Sequence, residues 1–386
     1  MAKKTVIKSP VSKPTRKIPE LARIILFVRA GGHCEFDGCN KYLIEHHLTF
    51  TEGNFAQFAH IVAFSKDGPR GKEVRPTNIN DISNLMALCP ECHKLIDDNT
   101  ESFTRQTLEG YKKAHEERIQ HVTGLGPDQK TSLLLVTSKI GDHTVTVPYD
   151  QMLQAITPRY PISKAGLPID LTQLSTNSEV FITAACDTIR EQLQGFLGAG
   201  GEVKRSHHIS LFALAPIPVL AYLGSQLSNK VPLGLYQRHR DTEDWTWKTT
   251  DEQVKYLFQQ RRKGKSARDV ALLLSLSGTI NDEVLSSEIT KDFTIYELTL
   301  ADLVPSPTFL RTKQDLEEFK NQYQLAIATI MHNHPGIREI NLFPAVPAPI
   351  AVLCGREILP KVHPALRVYD ADKRKGGFIY QLTINN

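Results

Sequence analysis

The chain has 386 residues, enough for two or three domains, and its 46 Lys and Arg against 42 Asp and Glu leave a formal charge of +4. With 41% hydrophobic residues it has a globular composition, which excludes a disordered or fibrous chain. The longest apolar stretch, residues 209–223, is shorter than the roughly 20 residues needed to cross a bilayer and contains Pro216 and Pro218, so no membrane partner is expected.

Residues 1–30 carry eight basic residues against one acid, Glu20, an arm that suits a phosphate backbone or a plain solvated terminus. No apolar signal-type segment follows, and the expected location is the cytoplasm. A Cys- and His-rich block runs from His33 to about Asp98. After it, residues 104–121 have helical periodicity with Leu108, Tyr111 and His115 on one face. Residues 122–130, with their GLGP, read as a linker. Beyond it, apolar β-rich runs at 132–136, 209–215, 270–277 and 293–300 alternate with amphipathic helices, which argues for α/β layers around a largely parallel sheet.

The six cysteines are too few for a disulfide scaffold in a chain of this length. Four of them form two pairs, Cys34-x4-Cys39 and Cys89-x2-Cys92, the knuckle spacing that a tetrahedral Zn²⁺ site requires. Such a site staples a small domain whose core is too thin to fold alone. Cys186 and Cys354 sit in apolar contexts and read as core.

Between the knuckles lie FAHIVAFS at 58–65, a basic loop at 66–75, and ISNLMALCPECHKLID at 82–97. This block resembles the ββα-metal fold of HNH nucleases, in its cysteine-knuckle branch. The resemblance implies that His60 is the general base, that Asn84 orients the loop and that His93 is a metal ligand. Asp97 is one helical turn beyond His93, so the two share a face and suit one divalent cation, Mg²⁺ or similar. Phosphodiester hydrolysis needs these parts: an imidazole to deprotonate water near pH 7, and positive charge on the phosphate and leaving oxygen. One departure stands out. Many relatives carry Asp or His directly before the base as a further ligand, and here that residue is Ala59. The shell is then completed by water, by His60 itself, or by Asp37, Glu45, His46 or His47. A literal His332-Asn-His334 precedes an apolar run with no knuckle nearby and reads as coincidence.

The C-terminal region repeats itself. ISLFALAPIPVLAYLG at 209–224 aligns without a gap on INLFPAVPAPIAVLCG at 340–355, and eight of 23 positions are identical over 209–231 against 340–362. Each copy reads as a buried strand, a P-x-P turn and a helix, with the second Pro in the first helical turn, where its missing N–H costs nothing. In open α/β sheets ligands sit beyond the carboxyl ends of strands, here the turns around Pro216 and Pro347; the alternative is that these are only well-packed turns.

These paired units, with Leu235-Tyr236 before Trp245-x-Trp247 and with LSLSG at 274–278, resemble the SAVED domain, a fusion of two CARF-like lobes. HNH in front and SAVED behind is similar to the effector endonucleases of CBASS, bacterial anti-phage systems in which a cGAS-like nucleotidyltransferase makes a cyclic oligonucleotide. The resemblance implies a double-stranded DNA endonuclease, idle until a cyclic dinucleotide of the cyclic GMP-AMP type, its 3',2'-linked isomer included, binds SAVED and drives assembly of a homo-oligomer such as a tetramer. A nucleotide pocket wants cations and flat apolar surfaces, and Pro216, Tyr236, Arg240, Trp245, Gly278 and Pro347 are the candidates, although Trp at this spacing is more often core. The basic cluster of Arg261, Arg262, Lys263 and Lys265 reads as a solvated loop.

The expected fold class is therefore α+β and α/β: an HNH domain over residues 1–121, a linker at 122–131, and SAVED over 132–386 with lobes at roughly 132–255 and 256–386. Two other functions stay open, a nucleotide-sensing DNA-binding protein with a degenerate nuclease, which Ala59 would explain, and a constitutive restriction-type nuclease.

Overall fold

The computed structural model describes residues 16–139, 146–175, 180–227, 229, 231–372 and 376–385. Lys3, Lys4, Lys8 and Lys13 of the basic arm lie outside these. The chain forms two compact units, Met1–Leu125 and Gly126–Asn386.

In the first unit, helix α1 (Glu20–Arg29) precedes an antiparallel pair, β1 (Gln57–His60) and β2 (Leu85–Leu88), in which Ala59 opposes Met86 and His60 opposes Leu85. All four residues of β2 are buried, because the strand runs through the middle of the small core with Leu26, Leu43, Ile61, Ile96 and Leu108. Helix α2 (Pro90–Asp98) opens with a proline whose absent N–H has no partner to lose, and it buries Cys92 and Ile96. Helix α3 (Arg105–Thr123) is capped by Thr104, whose hydroxyl accepts from the Thr107 N–H. It buries Leu108 and His115 and packs Tyr111 against the same core. The resulting ββα unit has a small core that includes Cys34, Cys89 and Cys92.

Helix α3 runs to Thr123, and strand β3 (Lys130–Thr137) starts inside the stretch expected as linker. The apolar run Ser132–Val136 extends at its start because Lys130 and Thr131 pair with Tyr160 and Pro161, and at its end because Thr137 pairs with Asp170 and Leu214. The second unit continues with α4 (Tyr149–Ile156), β4 (Tyr160–Pro161), β5 (Leu167–Asp170), α5 (Phe181–Leu197), α6 (Val203–Ser206), β6 (Ile209–Leu214), α7 (Ile217–Leu227) and β7 (Leu233–Tyr236). Its first sheet has the order β4-β3-β6-β7, with β5 also on β3, and every pairing is parallel. The second sheet uses β8 (Tyr256–Arg262), β9 (Val270–Ser275), β10 (Thr294–Leu300), β11 (Glu339–Ala345), β12 (Ala365–Asp372) and β13 (Gly377–Ile384), with helices α8 (Lys313–Asn333) and α9 (Ala348–Arg356). Its order is β13-β12-β11-β9-β10-β8; the four inner strands are parallel and the two edge strands antiparallel. Full burial of β9 fits a parallel strand covered on both faces.

Arg261 and Arg262 correct the reading of a solvated basic loop. Both are on β8, where Arg261 pairs with Glu297 at 3.3 Å and Asp282 at 2.9 Å, and Arg262 with Asp282 at 3.3 Å. An edge strand exposes one face, and charged residues there read like loop in a sequence. Pro344 likewise sits within β11, which runs on to Ala345 opposite Ser275.

The duplication is visible in the contacts. In one lobe Phe212 stacks on Tyr236 at 4.5 Å, and in the other Phe343 stacks on Tyr369 at 4.4 Å. The Tyr236 hydroxyl bonds to Ser210, and the Tyr369 hydroxyl donates to Asn341 at 3.1 Å; Ser210 and Asn341 are equivalent in the repeat. The repeated glycines meet where α7 crosses α9. A Cβ on Gly224 would lie 1.9 Å from the Val352 carbonyl oxygen, and one on Gly355 1.7 Å from that of Ala221. Backbone oxygens cannot swing aside, so Gly355→Ala should force the helices apart and cost about 1–3 kcal/mol or more in denaturant unfolding. An unchanged midpoint would mean that the crossing is not tightly packed. No helix among the described residues is long and apolar enough to cross a membrane.

Candidate active site

The two knuckles converge. The Sγ atoms of Cys34, Cys39, Cys89 and Cys92 all lie within 4.8 Å of one another. They meet because Glu35 clamps the first knuckle onto β2: its N–H donates to the Ala87 carbonyl at 2.9 Å, and its carboxylate accepts from the Ala87 N–H at 2.5 Å. Burial pushes the Cys34 thiol up to about 12 and raises Cys89 and Cys92 as well. For Cys39 burial acts the same way but is outweighed by hydrogen bonds from Lys41 and the other thiols, and the net direction is down. Four sulfurs so close and so dry suit a soft divalent cation that holds them as thiolates, so the donor set fits zinc.

His60 ends β1, and its Nε2 lies 2.8 Å from the Asn80 Oδ1. A carbonyl oxygen only accepts, so Nε2 carries the hydrogen and the Nδ1 lone pair is left to take a proton. Asn84 is buried and staples the intervening loop: its Oδ1 accepts from the Val62 N–H at 2.9 Å, and its Nδ2 donates to Val62 O at 3.0 Å and Ile79 O at 2.9 Å. Its bond to Ile79 O holds the backbone next to Asn80.

On α2, His93 Nε2 and Asp97 Oδ2 stand 3.4 Å apart, and His93 Nδ1 is 2.6 Å from the Gln57 Oε1. The other Asp97 oxygen accepts from Arg70 at 3.2 Å. That guanidinium is nearly fully buried and donates to Ile61 O at 2.6 Å and Ile96 O at 2.7 Å. An imidazole nitrogen beside a carboxylate is a donor set that fits a divalent ion with water filling the remaining positions. Among the described residues the cysteines form the one cluster of three or more metal-type ligands, so Asp37, Glu45, His46 and His47 do not join His93 and Asp97. His334, the last of the literal His-Asn-His, is buried on α8's C-terminal side, bonding to Tyr296 at 3.2 Å and Ala267 O at 2.9 Å, a packing role. Sequence reasoning missed Asn80, Gln57 and Arg70. Each has its partner 9 to 36 residues away, a separation that leaves no local spacing signal in the sequence.

In the second unit, Pro216 and Pro347 open the turns between β6 and α7 and between β11 and α9, at the carboxyl ends of their strands. Gly278 follows β9 at the same kind of edge, with open space where a Cβ would be. Arg240 is exposed. Tyr236 and Trp245 are a correction: both are buried against Phe212, with the Trp245 ring edge-on at 5.3 Å, so neither offers a face to a ligand. Their apolar area is better satisfied under α4 in the core with Leu133, Met152 and Ile156. Cys354 is buried and Cys186 partly so.

Residues 189–384 match the sequence profile of the SAVED family, described as the SMODS-associated and fused to various effectors sensor domain. Residues 34–104 match that of an HNH endonuclease family. No curated protein sequence matches the chain. Among solved structures, the Cap4 SAVED/CARF-domain containing receptor of Acinetobacter baumannii with the cyclic trinucleotide 2'3'3'-cAAA is similar over 80% of this chain, at 12% identity and a TM-score of 0.45. The Cap4 receptor of Moraxella osloensis is similar over 76%, at 10% identity and a TM-score of 0.39. This chain covers 64% and 60% of the lengths of those two receptors.

Proposed function

The chain belongs to the SAVED sensor family and carries an HNH endonuclease domain ahead of it, and from that premise we propose that it is a CBASS-type effector, a DNA endonuclease switched on by a cyclic oligonucleotide. The observation that carries the reading is the union, on one chain, of a nuclease site with a proton-accepting imidazole and a sensor domain with two strand-carboxyl edges.

His60 Nδ1 takes a proton from a water molecule, whose oxygen attacks the phosphorus while the bond to the leaving oxygen breaks. Asn80 holds the tautomer that this requires, and Asn84 holds the loop that carries Asn80. His93 and Asp97 would hold a divalent ion, Mg²⁺ or similar, which supplies positive charge to the phosphate and the leaving oxygen. Arg70 keeps the Asp97 carboxylate in place from its buried side. Cys34, Cys39, Cys89 and Cys92 would hold a structural zinc ion.

The substrate in this reading is double-stranded DNA, read with little sequence preference because the sequence offers no obvious recognition helix; with 18 basic and 15 acidic residues over 1–125, affinity rests on local basic segments and should weaken as salt rises. The activator is a cyclic dinucleotide of the cyclic GMP-AMP type, supplied by a cGAS-like nucleotidyltransferase and seated against the Pro216, Gly278 and Pro347 turns, with the exposed Arg240 as a candidate cation for its phosphates. It drives a homo-oligomer, a tetramer in the active form.

Plasmid cleavage in Mg²⁺, with and without a panel of cyclic di- and trinucleotides, tests this. One nucleotide should turn a silent background into degradation. Equal cleavage without any nucleotide would favour the constitutive nuclease. No cleavage under any condition would favour the DNA-binding reading, in which Ala59 marks a lost ligand.

A further inference from the structure

His93 is engaged at both ring nitrogens, Nδ1 by the Gln57 Oε1 at 2.6 Å and Nε2 by the Asp97 Oδ2 at 3.4 Å. The amide oxygen of Gln57 can only accept, so the short contact places the ring hydrogen on Nδ1. In the neutral ring Nε2 then presents a bare lone pair to a carboxylate oxygen. Two acceptors facing each other at 3.4 Å need positive charge between them, either a proton on Nε2 or a metal ion. The carboxylate cannot turn away, since its other oxygen is bonded to Arg70, itself anchored on the carbonyls of Ile61 and Ile96.

Strand alternation puts Gln57 on the same face of β1 as Ala59. Ala59 is buried and has no donor or acceptor on its side chain. Gln57 is thus the residue through which β1 reaches His93 in this chain, and it does so across 36 positions of sequence.

Resting on the metal-dependent nuclease reading above, we propose that Gln57 is a positioning residue for the divalent ion: its amide oxygen selects the His93 tautomer whose Nε2 is aimed, with Asp97, at the ion. Partners of this kind orient a ligating imidazole and raise its basicity, and their loss typically costs about 10–100-fold in metal affinity.

The test is Mn²⁺ binding to the full zinc-loaded chain, measured by calorimetry and by the EPR signal of free Mn²⁺. Gln57 is exposed, so Gln57→Leu removes the acceptor without opening the core. That variant should bind Mn²⁺ about 10–100-fold more weakly, with zinc content and melting temperature unchanged. Gln57→Glu keeps an acceptor oxygen and should bind at least as tightly as wild type. Wild-type affinity in Gln57→Leu, or equal weakness in Gln57→Glu, overturns the assignment. A wild-type chain that takes up no Mn²⁺ beyond its zinc would overturn the His93–Asp97 ion site itself, and the role of Gln57 with it.

Discussion

His60→Ala is expected to abolish nucleotide-activated DNA cleavage, by about 10²–10⁴-fold if water alone must replace the base. The side chain is half-buried at the end of a strand, where it bonds to the Asn80 amide oxygen. Its removal therefore opens no core cavity and leaves the Asn84 staple, the cysteine cluster and the Arg70 anchor intact. Zinc content, Mn²⁺ uptake at His93 and Asp97, and nucleotide binding should all equal those of wild type. That pattern separates a lost proton acceptor from a lost fold. Cleavage by His60→Ala at the wild-type rate would remove His60 from the reaction and shift attention to a base on the other side of the site.

The parts of this molecule that could be read from the sequence are those whose chemistry imposes local spacing. Two thiolates of one knuckle must lie within a turn of each other, so Cys34 with Cys39 and Cys89 with Cys92 announce themselves. His93 and Asp97 share a helix face for the same reason, whereas Asn84 was named only through the resemblance to HNH nucleases. The repeat was legible because both copies meet one demand. Gly224 and Gly355 are each pressed against the backbone of the other's helix, a contact that admits no side chain. Contacts made across long loops left no such mark. Asn80 and Gln57 become meaningful only once β1, the 61–84 loop and α2 are folded together. Tyr236 and Trp245 stayed open between ligand and core in the sequence, because an aromatic pair beside a turn looks alike whether it covers a ligand or a sheet. Their burial on Phe212, itself a repeated position, shows that packing claimed them.

Cys92→Ser should unfold the first unit while leaving the second folded. The small core of that unit holds Cys34, Cys89 and Cys92 among only a handful of aliphatic side chains, chiefly Leu26, Leu43, Ile61, Leu85, Leu88, Ile96 and Leu108. Whole domains are stable by about 5–15 kcal/mol, whereas structural zinc binds with an apparent free energy of about 10–16 kcal/mol. Loss of one thiolate therefore removes a stabilisation as large as the entire margin. The second unit has no such dependence, because its two sheets and the α7–α9 crossing share one continuous core from Leu134 to Ile384. The variant should lose zinc, lose cleavage and lose the more zinc-dependent of two unfolding transitions, yet bind the activating nucleotide with the wild-type Kd. Chelation of the wild-type protein should reproduce this. It should also become easier as pH falls, since burial raises Cys34, Cys89 and Cys92 and protons compete for the sulfurs that the metal must hold as thiolates. A Cys92→Ser protein that stays folded and cuts DNA would show that the hydrogen-bonded frame of Glu35, Arg70 and Asn84 holds the nuclease without its metal staple.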